Sequence, residues 1–136
     1  MTTDLVTTHI GIDEDNRQAV AAELTKLLAD EYVLYTKTRN AHWNVEGPDF
    51  YDKHKFFEAQ YEQLDEIIDQ VAERIRSLGH AATATLGAFL KLTHLTEQSR
   101  SANDSLGFIH ELLADHESII IHLRENINRF ANQYKD

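Results

Sequence analysis

The chain has 136 residues, enough for one domain with its own hydrophobic core, and residues 1–136 are treated as a single domain. It contains no cysteine, which excludes disulfides, thiolate metal sites and thiol catalysis. The formal net charge is −10, from 23 acidic and 13 basic residues, which argues against a nucleic-acid-binding surface. Lacking a signal-like N-terminus and any long apolar run, the sequence predicts a soluble, cytoplasmic protein without a membrane segment.

The first predicted helix covers residues 15–41 and follows Asp13 and Glu14. Its apolar residues follow a helical period: Val20, Leu24, Leu27, Leu28, Leu34 and Tyr35. Residues 44–48 interrupt this pattern, and Pro48 is typical of the first turn of a following helix.

The second predicted helix covers residues 49–78 and has the clearest period in the chain. Its apolar positions alternate steps of four and three, the spacing of a coiled-coil seam. They are Phe50, His54, Phe57, Tyr61, Leu64, Ile68, Val71, Ile75 and Leu78. Gly79 is a natural residue just beyond the helix end.

Residues 80–100 leave room for one short helix near Leu86–Leu92, and a third long helix is predicted over 102–132. Ser101 and Asp104 resemble a capping pair for that helix. Its apolar stripe is Leu106, Ile109, Leu113, His116, Ile120, Leu123, Ile127 and Phe130. Three long amphipathic helices predict an all-α bundle, although such bundles usually close with four.

Two pairs of potential metal ligands lie on the second helix. His54 and Glu58 are four residues apart, as are Asp69 and Glu73, so each pair lies on one helical face. His54 and Asp69 are separated by about 22 Å of helix axis, whereas paired metal ions lie about 3.5–4 Å apart. One helix therefore cannot close the site on itself, and the spacing predicts that a second copy of the chain completes it.

Each ligand of the histidine pair also has a simpler explanation. A histidine such as His54 on an apolar seam is more often an ordinary buried histidine, although Glu58 one turn later favours a shared metal. His42 and Trp43 end the first helix, where packing alone would explain them. The alternative is that His42 is a third metal ligand supplied by a neighbouring element. Residue spacing does not decide between packing and metal binding.

The acidic residues of the second helix have simpler explanations as well. Glu62 and Asp65 are interpreted as a solvated face. Arg74 and Arg76 could form ordinary ion pairs with Glu73. The remaining histidines carry no metal-binding signal: His9, His80, His94, His110, His116 and His122.

Residues 42–79 closely resemble the characteristic sequence of the Dps family, the twelve-subunit miniferritins. The match rests on His-Trp-Asn, a second histidine twelve residues later, and Asp-x-x-Ala-Glu-Arg. The resemblance implies a ferritin-like four-helix bundle with a short helix in its long crossover. It also implies a hollow dodecameric shell that oxidises Fe²⁺ with hydrogen peroxide at a di-iron site shared across a two-fold dimer.

The resemblance assigns a role to each site residue. The positions matching the family's iron ligands are His42, His54 and Glu58 from one subunit, and Asp69 and Glu73 from its partner. Glu58 stands where many members have aspartate. Trp43 matches the tryptophan beside the site that is thought to intercept radicals. Independently, a two-fold axis crossing the helix near residues 63 and 64 would bring each histidine pair against the partner's carboxylates.

Two departures from the family are expected to matter. This chain shows no counterpart of the family's final helix, and its N-terminal arm, residues 1–16, lacks the Lys and Arg that DNA-binding members often carry. The expected function is therefore iron storage and detoxification by a ferroxidase. The alternatives are a DNA-compacting protein and a purely structural helical assembly.

Overall fold

The computed structural model describes residues 7–97 and 100–136. These residues form the helices α1 (Glu14–Asn44), α2 (Phe50–Ser77), α3 (Leu86–Leu92) and α4 (Ser105–Asn132). Within these two ranges there is no strand, only an isolated bridge between Glu46 and Asp104. The all-α prediction of three long helices and one short helix is confirmed. Of the helices described, none combines the length and apolarity needed to cross a bilayer.

Helix α1 begins at a well-formed cap and runs further than predicted. The Asp13 side chain accepts a hydrogen bond from the Asn16 backbone N–H at 2.8 Å. The helix continues to Asn44, three residues beyond the predicted end, so His42 and Trp43 lie within its last turn. Both side chains are consequently held by regular helical backbone.

The corner between α1 and α2 is short and tightly bonded. Gly47 adopts a φ of +125°, which favours glycine, and its carbonyl accepts from the Phe50 N–H at 3.1 Å. Pro48 precedes the capping residue Asp49, so the prediction that it lies in the first turn of α2 was wrong by two positions. Asp49 accepts a 2.7 Å hydrogen bond from the Ser105 hydroxyl, which ties the start of α2 to the start of α4.

Helix α4 begins three residues later than predicted. Asp104 is the capping residue and accepts from the Gly107 N–H at 2.8 Å. Ser101 lies outside the helix, so only the aspartate of the predicted capping pair has that role.

Helix α1 is the centre of the packing and contacts all three other helices. Near its C-terminal end, a core cluster includes Val33, Leu34, Phe57, Phe108, Leu112 and Ile119. Near its N-terminal end, a second cluster includes Val20, Leu24, Leu28, Ile75, Leu78 and Phe89. The first cluster fixes the corner where the candidate site lies.

The predicted apolar stripe of α4 is only partly right. The structure buries the neighbouring positions Phe108, Leu112, Asp115, Ile119 and Asn126. Half or more of each side chain is exposed at Leu106, Leu113, Ile120 and Ile127. The apolar arc of this helix is wider than one stripe, and α1 covers only one side of it.

Candidate metal centre

His42 and His54 meet at the corner between α1 and α2. Their rings stack with centroids 3.8 Å apart and planes 17° from parallel. The His42 Nδ1 lies 2.7 Å from the backbone carbonyl of His54, and the His54 Nδ1 lies 2.8 Å from the carbonyl of His42. Each ring is thus held by the backbone of the residue that carries the other ring.

These two hydrogen bonds determine which nitrogen of each ring can bind a metal. A backbone carbonyl only accepts, so each Nδ1 must carry a proton and donate it. In the neutral imidazole the lone pair then lies on Nε2, and neither Nε2 is hydrogen-bonded among the residues described. Metal-binding histidines are typically oriented by such a bond on their other nitrogen. His54 additionally satisfies one of the carbonyls left open at the α1 C-terminus.

Aromatic side chains restrict both rings. The edge of Tyr61 contacts His42 with centroids 5.2 Å apart, and Phe50 stacks on His54 at 5.1 Å. His42 is only 7% exposed. The two rings therefore have little freedom to rotate away from this arrangement.

Glu58 lies one turn after His54 on the same helix. Its side chain is about one third exposed, and its Oε2 lies 3.3 Å from the ammonium of Lys55. The hydrogen bond from Lys55 to Glu58 raises the pKa of the lysine. An incoming cation would compete with this lysine for the carboxylate.

Asp69 and Glu73 lie on the distant half of α2, and both are exposed. Neither carboxylate takes part in an ion pair or hydrogen bond with the residues described. Arg74 pairs instead with Asp136, and Arg76 donates to the carbonyl of His80 at 3.3 Å. The simpler explanation of Glu73 as an ordinary ion-pair partner is not supported by these contacts.

The structure brings His42 and His54 together, and Glu58 lies one helical turn after His54 on α2. Asp69 and Glu73 are not brought to them, because α2 is one uninterrupted helix from Phe50 to Ser77 and places them further along its axis. Over residues 7–97 and 100–136, no three His, Asp or Glu side chains lie close enough together to hold an ion.

Trp43 lies on the outer side of the same corner and is 64% exposed. The Arg39 guanidinium lies 5.5 Å from the Trp43 ring and 4.2 Å from the Tyr61 ring. Because Tyr61 also touches His42, these contacts connect the tryptophan to the histidine pair.

Three neighbours of the site were not identified from the sequence as such: Phe50, Lys55 and Tyr61. Phe50 and Tyr61 were recognised only as apolar seam positions. Tyr61 follows His54 by seven residues, two helical turns, and that spacing is a usable signal that both lie on one face. Its contact with His42 depends on how α1 packs against α2, which no spacing within one helix reveals.

Comparison with known proteins identifies the family. The model of the ferritin-like domain matches residues 21–136. The DNA protection during starvation protein of Helicobacter pylori is 38% identical over 109 residues, covering 80% of this chain and 73% of that protein. The crystal structure of the DPS protein from Vibrio cholerae superposes with a TM-score of 0.87 at 30% identity, covering 92% of this chain and 78% of that one. The chain belongs to the Dps family.

Membership of the Dps family confirms the ferritin-like fold predicted from residues 42–79. The Vibrio Dps protein is described as a member of the ferritin-like diiron-carboxylate proteins. A low temperature-induced protein of Nostoc, itself uncharacterized, is also 38% identical over 128 residues, covering 94% of this chain and 72% of its own length. The likeness to Dps proteins extends over nearly the whole chain and is not confined to the histidine-containing corner.

Proposed function

We propose that this Dps-family chain is a ferroxidase and iron store that oxidises Fe²⁺ at a site completed by two chains. The observation that carries the proposal is the pair of free Nε2 atoms on His42 and His54, fixed by reciprocal hydrogen bonds to the backbone. With Glu58 one turn away, the corner offers the mixed imidazole and carboxylate ligands that suit Fe²⁺.

The remaining ligands come from a second chain in this proposal. Asp69 and Glu73 are exposed and are not used in ion pairs within the described part of the chain. A two-fold axis near residues 63 and 64 would lay them against His54 and Glu58 of the partner, twice per dimer. As in the family, six such dimers would form a dodecameric shell.

The chemistry is a paired oxidation with hydrogen peroxide as the preferred oxidant. Two Fe²⁺ ions each give up one electron, the O–O bond of one peroxide breaks, and two protons complete two water molecules. Because both electrons are delivered together, no hydroxyl radical is released. The Fe³⁺ produced would hydrolyse and mineralise on acidic groups inside the shell, and Trp43 would intercept any radical that escapes.

The first test is the stoichiometry and rate of Fe²⁺ oxidation by peroxide. We expect about one peroxide consumed per two Fe²⁺. His54→Ala and Asp69→Asn should each reduce the rate by roughly a hundredfold or more, because each removes a ligand from both sites of the dimer. Glu62→Gln, on the same helix but assigned no role, is the control. Unchanged rates in both ligand variants would refute the site.

Trp43→Phe should leave the rate of Fe²⁺ oxidation unchanged and increase oxidative damage to the protein.

The second test asks whether the site is shared between chains. In a mixture of His54→Ala and Asp69→Asn chains, each mixed dimer has one intact site and one that lacks both ligands. If equal amounts pair at random after co-expression, about a quarter of the wild-type sites should return. No recovery in verified mixed dimers would show that each chain builds its site alone.

A further inference from the structure

A second stacked pair of imidazoles lies beside the middle of α1, next to Asp30. His94, in the turn after α3, stacks on His122 of α4 with centroids 3.7 Å apart and planes 20° from parallel. This is nearly the geometry of His42 and His54, and both rings of the second pair remain about one third exposed. The sequence had given no reason to single out either residue.

A buried carboxylate fixes the orientation of His94. Asp30 is 1% exposed and accepts three hydrogen bonds. They come from the His94 Nδ1 at 2.8 Å, the His94 backbone N–H at 2.6 Å and the Thr93 hydroxyl at 2.7 Å. Because Asp30 accepts from Nδ1, the free lone pair of the neutral His94 ring lies on Nε2. This is the carboxylate–histidine arrangement that commonly supports a metal ligand.

The two rings line a small recess of about 30 Å³, large enough for an ion or a water molecule. Two cations also line the recess, and both pair with the single carboxylate of Glu23, Lys26 at 3.0 Å and Arg129 at 2.6 Å. At the rim, the exposed carboxylate of Glu125 lies 3.8 Å from the His122 Nδ1. With Asp30, three carboxylates and two cations line the recess, so its net charge is negative and favours an approaching cation.

We propose that His94 and His122 bind one divalent transition-metal ion per chain, of the class of Zn²⁺ or Fe²⁺. Asp30 positions His94. Because a metal ion lies in the plane of each imidazole that binds it, His122 rotates out of the parallel stack to reach the same ion. Water and a rotated Glu125 complete the coordination. Every protein ligand comes from a single chain. The site is thus distinct from the proposed inter-subunit ferroxidase site and does not depend on it.

The test counts Zn²⁺ bound per chain by equilibrium dialysis and calorimetry. His54→Ala serves as the background, so that binding at the inter-subunit site is removed. In this background, adding His122→Asn should remove one Zn²⁺ per chain. Adding His110→Asn, an exposed histidine on the same helix, should remove none. If the two double variants bind the same number of Zn²⁺ ions per chain, the proposal is overturned. A lower unfolding temperature for His122→Asn would not rescue it, because losing a purely structural ring stack would also lower that temperature.

A measurement on the unaltered chain covers the case in which the variants do not fold. Crystals soaked in Zn²⁺ should show an anomalous difference peak at the zinc edge between the His94 Nε2 and the His122 ring. A soaked crystal with zinc elsewhere but no peak there would overturn the proposal. Asp30→Asn should weaken Zn²⁺ binding by roughly 10–100-fold, because it removes the carboxylate that orients His94.

Discussion

Glu31 is a buried acidic side chain next to the better-bonded Asp30. It is 6% exposed, and its Oε2 has no hydrogen-bond partner among the residues described. Burial raises the pKa of Glu31 to about 7, and the negative charge of Asp30 adds to the effect. The folded chain therefore holds a proton on Glu31 at pH values where the unfolded chain has lost it.

Because of this proton, the free energy of unfolding decreases as pH rises, which is the opposite of the usual effect of an acidic side chain. Between pH 4.5 and 7 the folded state binds more protons than the unfolded state, so stability falls as pH rises through this window. Glu31→Gln should remove the dependence and stabilise the chain by up to about 3 kcal/mol at pH 8.5, with little gain at pH 4.5.

Chemical denaturation at the two pH values measures this effect. Exposed Glu117→Gln is the matched control and should show no comparable difference. A Glu31→Gln variant that is equally stable relative to wild type at both pH values would contradict the raised pKa.

At the scale of single residues, the sequence predicted chemistry within one helix and missed contacts between helices. His54 and Glu58 were identified because four residues make one helical turn. The backbone carbonyls that orient His42 and His54 could not be predicted, since they depend on the corner between α1 and α2. His94 carries no signal in the sequence because it lies in a loop, and its contact with Asp30, 64 residues earlier, depends on the fold.

Among the helices, α4 shows where periodicity succeeds and where it fails. The pattern placed the helix and its end correctly but chose the wrong buried positions. When apolar residues occupy neighbouring positions such as Ile119 and Ile120, periodicity alone does not say which one faces the core. Packing against α1 decides it: Ile119 is 4% exposed, whereas Ile120 is 50% exposed.

This difference predicts unequal effects of the same substitution at adjacent sites. Ile119→Ala should destabilise the chain by about 2–4 kcal/mol, because it leaves a cavity in the core. Ile120→Ala should change stability by roughly 0.5 kcal/mol or less. Denaturant unfolding of the two variants under identical conditions provides the comparison. Equal losses would show that the Ile120 face is also packed in solution.

At the scale of the whole molecule, the charge distribution bears on DNA binding. The formal net charge is −10, and residues 1–16 contain no Lys or Arg. Several cations elsewhere are paired with acids: Lys37 with Glu111 and Asp115, and Arg129 with Glu23. The excess of acidic residues makes the approach to a phosphate backbone electrostatically unfavourable.

We therefore expect no tight binding to duplex DNA in a gel-shift assay at low salt without divalent cations. Any retardation seen with added Mg²⁺ should disappear with a chelator, because the metal would bridge two anionic surfaces. Strong retardation in the absence of divalent cations would instead support the DNA-compacting alternative.

The reciprocal bonds between His42 and His54 have a consequence for how this sequence can change over generations. Each imidazole is anchored to the main-chain carbonyl of the other position, and a substitution of either side chain leaves that carbonyl in place. Loss of one histidine therefore removes the ring stack but keeps the hydrogen bond that orients the other histidine. The two codons can change one at a time, and we expect descendants that retain a single histidine to hold it in the same orientation.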